Sequence, residues 1–195
     1  DGKLETLKEA DVTIEKVNRL PIFSKIKDIK AKEDDEIAIL LDAYDPNNDA
    51  VSYSIDNPPE GSSLSGNAFL WKPGFDVAGK NEKKNFDLVF VASDGQSETR
   101  NIVKLQVADK NRIPKIINAT KSLIAKVNQP VLMSVKAIDE DNDELTYTWK
   151  FGLLESYKAT PNHQRIFTAK GTKNVKVIVT DGTGSVEQPI IINVI

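Results

Sequence analysis

The side chains with the most chemistry to offer are the carboxylates of two short loops. In Asp139-Glu140-Asp141-Asn142-Asp143-Glu144, oxygen donors recur at the alternate positions Asp139, Asp141 and Asp143. Such a set suits a hard cation, and calcium takes about six to eight oxygens. Asp45-Pro46-Asn47-Asn48-Asp49 is a less charged version, with Asp45, Asn47 and Asp49 in the corresponding places. Both loops equally suit polar turns whose Asp and Asn side chains accept backbone N–H groups. In that reading Arg19 and Arg112 pair with the loops in place of a metal ion. Neither loop is an EF-hand, because the glycine and the distant bidentate glutamate are missing.

Catalytic constellations are scarce. His163 is the only histidine, and Thr160-Pro161-Asn162-His163-Gln164 reads as an exposed loop. One histidine without cysteine builds no three-histidine zinc site, and no Gly-x-Ser-x-Gly elbow is present. A phosphate-binding glycine loop and a dinucleotide fingerprint are also missing. Nothing singles out a carboxylate pair for glycoside hydrolysis. The expectation is a chain that is not an enzyme. Asn118-Ala119-Thr120 is a glycosylation sequon, relevant only where surface proteins are glycosylated.

The elements that hold these loops follow from composition and pattern. A hydrophobic fraction of 39% and a charged fraction of 28% fit a folded globular protein. At 195 residues the chain suits two domains of about 100 residues each, or one larger one. The net charge of -3, with both signs interspersed, lacks the basic face that nucleic acid requires. The most apolar run, Pro189-Ile190-Ile191-Ile192-Asn193-Val194-Ile195, falls far short of the roughly 20 residues that insert into a bilayer. Without cysteine there is neither a disulfide framework nor a thiolate metal site, although secretion is not thereby excluded.

The chain repeats itself. Asn18-Arg19-Leu20-Pro21 returns as Asn111-Arg112-Ile113-Pro114, an offset of 111 − 18 = 93, and Asp1-Gly2 returns as Asp94-Gly95, again 94 − 1 = 93. Asp181-Gly182 is a third copy. Ile37, Ile39, Leu41 and Ala43 match Val131, Met133, Val135 and Ala137 at an offset of 131 − 37 = 94. At that same offset the acidic loops and Tyr53 with Tyr147 coincide. The phase implies that residues 1–17 carry the last strand of a preceding, truncated repeat, with Val12-Thr13-Ile14-Glu15-Lys16-Val17 as that strand. Two full domains then follow, at 18–110 and 111–195.

Within each copy the period is two, as in Phe86, Leu88, Phe90 and Ala92 or Val175, Val177 and Val179. Asp45-Pro46, Asn57-Pro58-Pro59, Lys72-Pro73-Gly74, Asp94-Gly95 and Asp181-Gly182 punctuate the runs as turns. Short strands, frequent turns and no long amphipathic helix predict an all-β protein of tandem immunoglobulin-like β-sandwiches. The short proline-bearing junctions at 18–21 and 111–114 predict a semi-rigid array.

Particular stretches resemble known repeat families. Residues 18–21, 41–55, 69–79 and 91–95 make the first full repeat similar to dystroglycan-type cadherin-like and immunoglobulin-like repeats of bacterial or archaeal surface proteins. Tyr147-Thr148-Trp149-Lys150-Phe151-Gly152 and Val177-Ile178-Val179-Thr180-Asp181-Gly182 make the second resemble a PKD-type domain. That resemblance implies that Trp71 and Trp149 lie in strands as core residues, not as sugar platforms. In cadherins a similar Asp-x-Asp loop binds calcium with the help of an acidic linker; here the linkers carry Arg19 and Arg112 instead. The expected role is a non-catalytic structural or adhesive segment of a multi-repeat extracellular or cell-surface protein. Its expected partners are neighbouring repeats, other surface proteins or glycans. Two alternatives are an accessory spacer or carbohydrate-binding module of a secreted hydrolase, and a filament subunit that assembles by strand addition through residues 12–17.

Overall fold

The computed structural model describes residue 2, residues 8–13 and residues 16–195. Every regular element among these residues is a β-strand, and none is a helix long and apolar enough to cross a membrane. The chain divides into two compact units. The first comprises Asp1–Ala31, Asp35–Lys72 and Asn85–Gln106; the second comprises Lys32–Asp34, Pro73–Lys84 and Val107–Ile195. The second unit therefore takes in short segments that the repeat assigns to the first copy.

In the first unit, two sheets face each other. One is ordered β2 (Ile29–Lys32), β9 (Glu98–Ala108), β8 (Lys83–Ser93), β5 (Ser52–Asp56); the other is β3 (Ile37–Leu40), β7 (Ala68–Trp71), β6 (Ser63–Ser65). A short pair, β1 (Ile22–Phe23) with β4 (Ala43–Tyr44), stands beside them. The alternation read from sequence sets the inward faces: Ile37, Ile39 and Leu41 are buried, as are Leu88, Phe90 and Ala92. Across the layer Phe69 meets Phe90 edge-on at 5.4 Å, and Trp71 meets Phe86 at 4.9 Å.

The second unit repeats the scheme. Its larger sheet runs β11 (Ser122–Ala125), β17 (Ser185–Val194), β16 (Gly171–Thr180), β13 (Thr146–Phe151), β14 (Glu155–Ala159). The smaller runs β10 (Lys115–Ala119), β12 (Pro130–Ile138), β15 (Asn162–Ile166). β11 joins β17 in parallel, whereas the paired strands otherwise described in this unit are antiparallel. Met133, Val135, Trp149, Val175, Val177, Val179, Ile190 and Ile192 form its core. Each layer hides one side of alternating strands and wets the other, so both units are immunoglobulin-like β-sandwiches.

One difference from the sequence reading concerns His163. It lies in β15, not in a loop, opposite Met133. Its ring stacks on the buried Trp149 at 5.7 Å and on Tyr157 at 6.0 Å. Pro161 precedes the strand and does not interrupt it, since β15 is an edge strand and its first residue is Asn162. The expected closing strand at 12–17 lies partly outside the described residues, and its described residues pair with no strand. Val12, Thr13, Lys16 and Val17 are in no strand, and Val12 and Val17 are exposed. Ile14 and Glu15 lie outside the described residues.

Candidate functional site at the acidic loops

Both acidic loops fold as side-chain-capped turns. In the first unit, Asp45 Oδ1 accepts the backbone N–H groups of Asn47 at 2.6 Å and Asp49 at 3.3 Å. In the second, Asp139 Oδ1 accepts those of Asp141 at 2.9 Å and Asp143 at 3.2 Å. An Asp side chain that replaces the missing backbone acceptor is the reason this residue type opens the turn. Asn48 and Asn142 sit at positive φ, 62° and 60°, where asparagine is the best tolerated non-glycine residue.

The segment that enters each sandwich is bound to these turns. Arg19 donates its backbone N–H to Asn47 Oδ1 at 2.8 Å, and Asn47 Nδ2 returns a bond to the Val17 carbonyl at 3.3 Å. Arg112 donates its backbone N–H to Asp141 Oδ2 at 2.6 Å and its Nε to Asp141 Oδ1 at 2.6 Å. The same guanidinium reaches the Glu140 carbonyl at 2.8 Å and covers the Phe75 ring at 4.4 Å from its centroid. The bond to Asp141, followed by the nearby carboxylates, holds the guanidinium pKa above its ordinary value. Arg112 thus pairs with its loop as the sequence suggested, through a charge-assisted fork. Arg19 contributes through its backbone.

The preceding asparagine makes a second attachment in each copy. Asn18 Nδ2 donates to Asp94 Oδ2 at 2.8 Å, and Asn111 Nδ2 donates to Asp181 Oδ2 at 3.0 Å. Both aspartates open the Asp-Gly turns between the last two strands of their sandwiches. Asp94 Oδ1 caps Gln96 and Ser97, each at 2.7 Å; Asp181 Oδ1 caps Thr183 at 2.6 Å and Gly184 at 2.5 Å. The bond from Asn18, then those from the turn, lower the Asp94 pKa. Burial pushes the Asp181 carboxyl up, but its bonds from Asn111, Gly184 and Thr183 outweigh this and leave it below the ordinary value.

Two lysines complete the loops. Lys16 Nζ lies 3.0 Å from both oxygens of Asp49. Lys80 Nζ lies 2.7 Å from Asp143 Oδ1. A cleft of about 240 Å³ runs beside Phe75, Lys80, Asn111, Arg112, Asp141 and Asp143. The candidate calcium residues of the second loop are therefore close together but meet cationic side chains. Among the described residues, no three His, Cys, Asp or Glu side chains are placed to hold a metal ion.

Lys80 is delivered by a loop whose anchor is Glu33, fully buried within the second unit. Glu33 Oε1 accepts the Ala78 N–H at 2.7 Å, and Oε2 accepts the Lys110 N–H at 3.1 Å. Asp109 holds the same loop through the Asn81 N–H at 2.7 Å. Sequence reasoning missed Lys80, Lys16 and Glu33. It also treated Asn18, Asn111, Asp94 and Asp181 as markers, although the joint recurrence of Asn-Arg and Asp-Gly was a readable sign that they touch.

The aromatic candidates are packing residues. Trp71 and Trp149 are buried, and their indole N–H groups donate to the carbonyls of Glu60 at 2.9 Å and Thr160 at 3.1 Å. The Tyr53 hydroxyl bridges the backbone N–H and carbonyl of Ala43. His163 is half-buried, and burial together with the positive charge of Arg165 lowers its pKa.

Residues 111–194 match the model of the PKD domain family. None of the curated proteins of known function is similar enough in sequence to match. Among solved structures, extracellular domains 3–5 of Drosophila OTK are 11% identical over 90% of this chain and 62% of that one, with a TM-score of 0.46. Immunoglobulin domains 1–4 of Sidekick-1 are 11% identical over 90% and 48%, with a TM-score of 0.45. An endo-fucoidan hydrolase of glycoside hydrolase family 107 is 18% identical over 90% and 29%, with a TM-score of 0.41. The chain thus spans less than two thirds of each of these structures. Such likenesses carry no argument about function.

Proposed function

We propose that this chain is a non-catalytic structural or adhesive segment of a multi-repeat protein that acts at the cell surface or outside the cell. The observation that carries the reading is a clasp built twice. Asn18 with Asp94 and Arg19 with Asn47 tie down one entering segment; Asn111 with Asp181 and Arg112 with Asp141 tie down the other. The polar residues most open to a chemical reading are spent on holding the chain itself. The PKD domain match at 111–194 supports the same reading. Neighbouring repeats, other surface proteins or glycans are the partners it entails, and the adhesive role is the finer part of the proposal.

Deleting residues 18–195 from the parent protein, in cells that produce it, tests this directly. Attachment of those cells to their substratum or to each other should fall, while secreted hydrolytic activities stay unchanged. Unaltered attachment together with a lost hydrolytic activity would favour the accessory-module alternative.

A further inference from the structure

Asp139 and Asp143 each keep one oxygen, Oδ2, shielded from solvent and without a hydrogen-bond partner. The Asp143 side chain is only 6% accessible. A buried ionised carboxylate is costly unless a positive charge stands beside it. That charge is the Lys80 ammonium, 2.7 Å from Asp143 Oδ1. Its hydrogen bond to Asp143 and the surrounding charges of Asp143, Asp181 and Asp139 hold its pKa above that of an ordinary lysine. Lys80 is positioned as well as present, because its loop is pinned by Glu33 and Asp109.

The first unit has a more exposed counterpart: the Asp49 side chain is 31% accessible where Asp143 is 6% accessible. Asp45 is buried with its Oδ2 unpartnered, and Lys16 sits on Asp49. The two lysines are not repeat-equivalent. The period of 93 sets 16 + 93 = 109, where the sequence has the oppositely charged Asp109, and Lys80 belongs to a different loop. Two unrelated segments thus bring an ammonium to the last aspartate of the same turn. What recurs is an ammonium at that aspartate, which is buried in the second unit and partly exposed in the first, not the segment that supplies it.

We propose that a lysine ammonium is the resident counter-ion of each acidic loop, Lys16 at Asp49 and Lys80 at Asp143, filling the place that a dissociable cation would otherwise take. The fold of each unit then needs no divalent cation. Melting curves of the 195-residue chain in EDTA and in excess calcium, at one ionic strength, test it. The unaltered chain should melt at the same temperature in both. Lys80→Gln should melt lower in EDTA, by about 3 °C, and calcium should restore the midpoint because it binds only the native state. Lys80→Arg should stay near the unaltered chain, and Lys80→Gln with Asp143→Asn should ignore calcium. If Lys80→Gln does not fold, side-chain ammonium NMR of the unaltered chain replaces it. An Asp143-bound Lys80 signal that calcium leaves in place supports the proposal. Displacement of that signal by calcium overturns it. So does a calcium-raised midpoint in the unaltered chain that Asp143→Asn abolishes, or a Lys80→Gln midpoint that does not move or does not respond to calcium.

Discussion

A carboxylate that accepts two backbone N–H groups out of reach of water is harder to replace than one in solvent. Glu33 is such a group, and no motif announces it: Lys32-Glu33-Asp34-Asp35 reads as a solvated charge run. Its burial depends on donors at Ala78 and Lys110, which lie 45 and 77 residues away. Glu33→Gln would turn an NH2 group towards one of these donors. The expected loss is about 2 kcal/mol in urea unfolding, with no loss for the exposed neighbour Glu36→Gln. Lys80 was invisible for the same reason, since Asp143 stands 143 − 80 = 63 residues further along. His163 yields a pH prediction. Burial, then the charge of Arg165, lowers its pKa below 6.5 in the folded state. Below that value the unfolded chain binds more protons than the folded one. Stability is therefore complete above pH 6.5 and declines as pH falls through the unfolded pKa towards the folded one. His163→Gln should flatten this slope in melts run across that window; an unchanged slope would remove His163 as its cause.

Strands were legible because burial on one face of a sheet writes a period of two into the chain. Ile37, Ile39 and Leu41, and Val175, Val177 and Val179, were read from that pattern and are buried. The Asp-Gly turns were legible too, and their geometry explains why. Gly95 and Gly182 adopt φ of 89° and 94°, and a Cβ added at either would meet nothing within 4 Å. The restriction is therefore conformational and not steric crowding. Gly182→Ala should cost about 1 kcal/mol in thermal unfolding, while Thr183→Ala beside it should cost little. β15 was not legible, because Pro161 and the polar Asn162-His163-Gln164-Arg165 run carry its alternating burial on polar side chains and not on apolar ones. Trp149 anchors the second core, and Trp149→Ala should cost about 3–5 kcal/mol. That is enough to unfold a marginal sandwich.

At the scale of the whole chain, two sandwich cores form without cysteine. The chemically rich residues form turns, clasps and ion pairs, and the proposed role requires that the chain work outside the cell or at its surface. Labelling with a membrane-impermeant amine reagent addresses this most directly. Lys30, Lys83, Lys115 and Lys136 are exposed, and intact cells that produce the protein should yield labelled peptides from these positions. Peptides labelled only after the cells are lysed would contradict the account.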